Sequence, residues 1–139
     1  MRNDPCKLIA IEALPDYHLK LTYIAEQVFE VDLSNWINET RGLFSLQDPD
    51  LFIKAQLMDY GVGVYWIKDE LELGADNLRN LGIEQSGGIG HERIWNWLYE
   101  MKLTPEQGAK ALGITLDELL AYRDGLVPIP RILWLACVK

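Results

Sequence analysis

The stretch Lys102-Leu103-Thr104-Pro105-Glu106-Gln107-Gly108-Ala109-Lys110-Ala111-Leu112-Gly113-Ile114-Thr115-Leu116-Asp117-Glu118-Leu119-Leu120-Ala121-Tyr122-Arg123-Asp124-Gly125 holds two helix starts and two helix stops in about two dozen residues. Thr104 is an N-cap residue with Gln107 three positions on, and Pro105 fills the first helical position, where a missing N–H costs nothing. Gly113 can take the left-handed conformation that ends a helix. Thr115 can then cap a second helix, with Asp117 and Glu118 favourably placed beside its positive end, and Gly125 stops it. Ala109, Leu112, Ile114, Leu119 and Tyr122 form one small apolar seam across the two helices.

These residues resemble the phage-repressor type of helix-turn-helix, whose pattern is matched by Leu103-Thr104, Ala109, Leu112-Gly113-Ile114, Leu119, Tyr122 and Gly125. That family has a helix before the pair and one or two after it. Ile94, Leu98 and Met101 are spaced for the preceding helix, and Pro128 and Pro130 punctuate entry to a last one, from Arg131 to Val138. The resemblance implies duplex contact through the second helix and its surroundings. Thr104, Gln107, Lys110, Thr115, Arg123 and Arg131 are the DNA-binding candidates. The chain departs from the pattern along the second helix, where Thr115, Leu116, Asp117, Glu118, Leu120 and Ala121 include no Asn, Gln, Lys or Arg to read a base edge.

Charge is distributed unevenly. Of the formal net charge of −8, the residues from Ser86 onward contribute nothing, with six basic and six acidic side chains. Residues 1–85 hold seven basic and fifteen acidic side chains and carry all of the net acidity. The acidic N-terminal part is unsuited to nucleic acid and admits a basic protein partner.

The glycine-rich run Leu81-Gly82-Ile83-Glu84-Gln85-Ser86-Gly87-Gly88-Ile89-Gly90 interrupts the periodic pattern. It divides the chain into an α+β domain over residues 1–81, a linker over 82–90 and a helix-turn-helix domain over 91–139. Upstream, Leu8, Ile9 and Ile11, then Leu19, Leu21 and Tyr23, then Val28, Phe29, Val31 and Leu33 alternate as strands of a meander. Ser34 is expected to cap a short helix with Trp36 and Ile37, and Asp48-Pro49 to open another with Leu51, Phe52 and Ile53. Gln56 to Tyr60 and Gly63 to Ile67 read as a hairpin turning near Gly61, Leu71 and Leu73 as a last extended segment, and Asp76 as the start of a helical turn with Leu78 and Leu81.

This order resembles the bacterial domain of unknown function 2442. The shared points are Tyr17-His18-Leu19-Lys20-Leu21-Thr22-Tyr23, Phe29 through Asp32-Leu33, Leu46-Gln47-Asp48 with Phe52, and Gly63-Val64-Tyr65-Trp66 followed by Leu71, Leu73 and Leu78. The first hairpin departs from it, with Ala25-Glu26-Gln27 where the family has an Asp/Asn-Gly turn. The resemblance implies a mainly antiparallel sheet domain with short helices and brings no established activity; some members of that family sit beside small toxin-like proteins, which would suit an antitoxin-like role.

Chemistry-bearing motifs are sparse. His18 lies in a strand pattern and His91 at a helix start, and neither belongs to a metal-binding or nucleophile motif. Cys6 and Cys137 show no Cys-x-x-Cys spacing and read as reduced structural thiols, with a disulfide between the two ends as the alternative. The acidic clusters lack a calcium-loop pattern, and glycines 82, 87, 88 and 90 lack the lysine of a phosphate loop. No catalytic, cofactor-binding or metal-binding residue is expected, and the chain reads as non-enzymatic.

Five tryptophans are more than two small cores normally use. Trp95 and Trp97 are two apart on one helix, so only one can face the core. Trp97, with Leu116 and Leu120, is assigned to an interaction surface with the first domain or a second subunit. No apolar run is long enough to span a membrane, and Leu8 to Ile11 is too short for a signal-peptide core, so a cytoplasmic protein without a membrane partner is expected. Two function classes follow: a dimeric bacterial DNA-binding regulator, which is preferred, and a protein-interaction module whose helix-turn-helix no longer reads DNA.

Overall fold

The computed structural model describes residues 5–138, Ala25 by its backbone alone. The class is α+β, with two three-stranded antiparallel sheets and a helical C-terminal part. The chain divides into two compact units, Met1–Gly82 and Ile83–Lys139.

In the first unit, β1 (Leu8–Leu14), β2 (His18–Tyr23) and β3 (Val28–Asp32) form the expected meander. Alternation sets the faces: Leu19 pairs with Val31 and Leu21 with Phe29, while Glu12, Lys20 and Glu30 stand in one cross-strand row on the other face. Leu19, Leu21, Tyr23 and Val31 are fully buried. Burial raises the Tyr23 phenol above its ordinary value, so it stays protonated and donates to the Ala75 carbonyl at 2.9 Å. The first turn, Pro15–Tyr17, places Asp16 and Tyr17 at positive φ, and the second, Ile24–Glu26, uses Glu26 at φ 63° where a glycine is usual.

After β3 come α1 (Ser34–Glu39), a 3-10 segment (Arg41–Gln47) and α2 (Pro49–Phe52). Ser34 does not cap α1. Its backbone N and its Oγ both donate to Asp32 Oδ1, at 2.9 and 2.6 Å, so the carboxylate two residues earlier supplies the acceptor. Asp48 does cap α2, accepting from Asp50 N at 3.0 Å. The 3-10 segment buries Leu43 and Leu46 but has no apolar spacing that marks it in the sequence.

The second sheet is β4 (Gln56–Leu57), β5 (Gly63–Ile67) and β6 (Leu71–Gly74). Trp66 on β5 donates from Nε1 to the Phe52 carbonyl at 2.8 Å, and Phe52 meets the edge of Tyr17 with ring centres 5.4 Å apart. The helix expected near Asp76 is α3 (Ala75–Gln85). It runs into the glycine-rich stretch, so residues 81–85 are helical.

The second unit is built from α4 (Glu92–Met101), α5 (Pro105–Leu112), α6 (Leu116–Arg123) and α7 (Arg131–Cys137). Ile94, Trp97, Leu98, Ala109, Leu119, Ile129 and Cys137 make its core. All but Ile129, which comes from the loop before α7, lie where the 3.6-residue period turns one helix face inward. Burial also raises the Cys137 thiol above its ordinary value. His91, expected at a helix start, precedes α4 and is buried.

Candidate nucleic-acid interface

Helices α5 and α6 are joined through Gly113, Ile114 and Thr115, with Gly113 at φ 72°. That conformation admits glycine without strain and is what turns α5 sharply enough to bring α6 against it. Both helices start in a full capping box. Thr104 Oγ1 accepts from Gln107 N at 3.2 Å while Gln107 Oε1 accepts from Thr104 N at 2.9 Å. Thr115 Oγ1 accepts from Glu118 N and Glu118 Oε1 accepts from Thr115 N, both at 3.1 Å.

These caps decide what the candidate DNA-binding residues can still do. Thr104 and Thr115 spend an acceptor on the backbone but retain a hydroxyl proton, a donor suited to a phosphate oxygen. Gln107 retains its amide donors on an exposed side chain. Lys110 and Arg131 are exposed, and among the described residues neither forms an ion pair.

Arg123 is placed differently. Its Nε donates to Asp124 Oδ1 at 3.0 Å, and its guanidinium lies 4.3 Å from the ring centre of Trp95. Held between an anion and an aromatic face, it is not extended toward solvent as a reader of bases would be. Arg93 is held in a similar way, with Nε 2.7 Å from Glu84 Oε1 and its guanidinium 5.3 Å from the Trp134 ring centre. Sequence spacing gave no sign of either arrangement, because each joins elements that only packing brings together.

The interaction surface assigned to Leu116, Leu120 and Trp97 is corrected by the structure. Trp97 lies in the core at 8% exposure, whereas Trp95 is 48% exposed. The two-residue offset on α4 does split the pair, but it is Trp95 that faces outward. Leu116 and Leu120 are half-buried and offer little free apolar surface. Asp117 and Glu118 are exposed in the first turn of α6, so the face expected to read bases carries two carboxylates.

No protein-family model and no curated protein matches the chain. A crystal structure of a "Putative DNA Binding Protein" from Nitrosomonas europaea does match, with TM-score 0.86 and 33% identity over 95% of this chain and 84% of that one. The chain belongs to the family of that protein. The likeness reaches across both units, since neither alone could account for 95% coverage. Among the described residues, no helix is long and apolar enough to cross a membrane.

Proposed function

We propose that the protein is a non-enzymatic, cytoplasmic DNA-binding regulator that touches duplex DNA with its α5–α6 helix-turn-helix. The observation that carries this reading is the pair of capping boxes around a left-handed Gly113, which presents two helix starts with hydroxyl and amide donors. The Nitrosomonas relative, whose name is "Putative DNA Binding Protein", supports it. Contact falls mainly on the sugar-phosphate backbone through Thr104, Gln107, Lys110, Thr115 and Arg131, because Asp117 and Glu118 repel phosphates and cannot replace Asn, Gln or Arg as readers of purines. Specificity then arises from duplex shape more than from base edges.

One observation favours a second reading, a protein-docking module. The cation nearest the end of α6, Arg123, is bound internally, and the first turn of that helix is acidic. A basic protein partner would suit the acidic first unit on the same grounds.

The test is a titration of the purified chain into labelled duplex fragments, its own upstream region included, at several salt concentrations. The described cations of the second unit that form no ion pair are Lys102, Lys110 and Arg131, so the slope of log affinity against log salt should be no steeper than about −3 per chain. Substituting Lys110→Gln or Arg131→Gln should each reduce that slope by about 1 while weakening all fragments alike. Absence of binding at low salt would sink the regulator reading and leave the docking module.

A further inference from the structure

A pocket of about 190 Å³ opens on the first unit where the turn between β1 and β2 meets α2. Its walls are Leu14, Pro15, Tyr17, Pro49, Phe52 and Ile53, and the one charged residue lining it is Asp16, which is exposed. Asp16 and Tyr17 hold φ of 62° and 65°, a conformation uncommon outside glycine and an outlier for a bulky side chain. Three contacts keep Tyr17 there. Its hydroxyl donates to the Gln47 carbonyl, its own carbonyl accepts from Leu33 N at 3.0 Å, and its ring lies 5.4 Å from Phe52 between centres. The pocket wall is therefore fixed in shape before anything enters it.

We propose that this pocket receives an arginine side chain from a basic segment of a partner protein. Charge selects a cation. Residues 14–17 and 48–54 carry Asp16, Asp48 and Asp50 against Lys54 alone, within the acidic part of the chain, so phosphates and acidic peptides are repelled. The walls select which cation. A guanidinium is planar and weakly hydrated, stacks on aromatic rings, and can fork onto the Asp16 carboxylate while its aliphatic stem lies along Pro15, Pro49 and Ile53. An ammonium keeps its hydration shell and gains less from such walls, and an aliphatic anchor strips water from Asp16 without replacing it.

Size selects a protein segment over a free ligand, since pockets that enclose small molecules begin at roughly 300 Å³ and this one has room for a single long side chain. Asp48 and Asp50, on either side of Pro49, are exposed and can meet the next cation of the segment. The proposal rests on the docking reading of the acidic first unit and is independent of duplex contact through α5 and α6.

Amide chemical shifts of the isotope-labelled full chain, titrated with the peptide acetyl-Gly-Arg-Gly-Lys-Gly-amide to millimolar concentration, test it. The shifts should saturate and centre on Asp16, Tyr17, Phe52 and Ile53. A peptide with lysine in place of the arginine should bind at least about threefold more weakly, and one with citrulline, the neutral isostere, should not bind. Asp16→Asn should weaken binding about three- to fivefold, as expected for an exposed ion pair. Asparagine tolerates positive φ, so the turn keeps its shape and amide shifts away from it should match the wild type. Asp69→Asn removes the same charge from an exposed position at φ 64° outside the pocket, and should change affinity by less than about 1.5-fold. Equal losses in the two variants, or shifts spread evenly over the acidic surface, overturn the pocket while leaving a diffuse docking surface. No saturable shift, or equal binding of the citrulline peptide, a leucine peptide or N-acetylarginine amide, overturns it as well. No duplex enters the measurement, so failure of the regulator reading leaves this test intact.

Discussion

The Arg123 guanidinium sits 4.3 Å from the centre of the Trp95 ring, so the last turn of α6 is fastened to the exposed side of α4. Asp124 completes the arrangement by accepting from Arg123 Nε at 3.0 Å. Without these contacts Arg123 would be the one cation of α6 available to a phosphate; with them it is a structural residue.

Arg123→Gln should therefore leave affinity for any duplex fragment within about threefold of wild type, while lowering thermal stability by roughly 0.5–1 kcal/mol as the cation–π contact is lost. Trp95 should at the same time report a more solvated indole by a red shift in tryptophan emission. A tenfold loss of DNA affinity with unchanged stability would return Arg123 to the list of duplex contacts.

Thr115→Ala removes the acceptor for Glu118 N and should destabilise the second unit by about 1 kcal/mol, whereas Thr115→Ser should be close to neutral. Thr104→Ala should act likewise at the start of α5. Denaturant midpoints followed by helical circular dichroism check both, and equal midpoints for Ala and Ser would show that neither cap contributes.

Gly61 is held at φ 67°, and a Cβ built there would come 2.1 Å from the Leu8 carbonyl oxygen. Backbone cannot yield as a flexible side chain can, and the left-handed conformation disfavours alanine as well. Gly61→Ala should cost more than about 2 kcal/mol of first-unit stability, read from chemical denaturation. A loss below about 0.5 kcal/mol would mean that the turn relaxes freely.

Asp32 titrates below its ordinary value, first because the Ser34 hydroxyl donates to it and then because the Ser34 backbone does. A carboxylate with a depressed folded-state value stabilises the fold above its unfolded value, about pH 4, and that contribution is lost as pH falls through the lower folded value. Wild type and Asp32→Asn should therefore differ most near neutral pH and converge as the pH falls through the lowered folded-state value. Denaturant midpoints across that range measure it; a gap independent of pH would exclude the charge as the cause.

Much of the organisation was legible along the chain because it depends on residues close together in sequence. Thr104 with Gln107, Asp48 with Asp50 and Gly113 at its turn act over three residues or fewer, and the structure places them as local chemistry requires. Strand alternation in Leu19-Lys20-Leu21 and the hairpin near Gly61 were readable for the same reason, since a period of two assigns faces before any partner strand is known. Ser34 was misread because two hydrogen-bonding residues two positions apart compete for one helix start, and Asp32 holds the acceptor.

The sequence by itself determined the strands, most of the helices, the caps at Asp48, Thr104 and Thr115, the α+β class and the acidic and neutral halves. Only the tertiary structure decided which of Trp95 and Trp97 faces outward, that Arg123 and Arg93 are bound internally, and that Leu116 and Leu120 are half-buried while Ile132 and Leu135 on α7 are exposed. A helical repeat gives the spacing between side chains on one element but not its rotation against the next. That rotation is set when all the helices bury their faces together, so the free residues are known only once the core is closed.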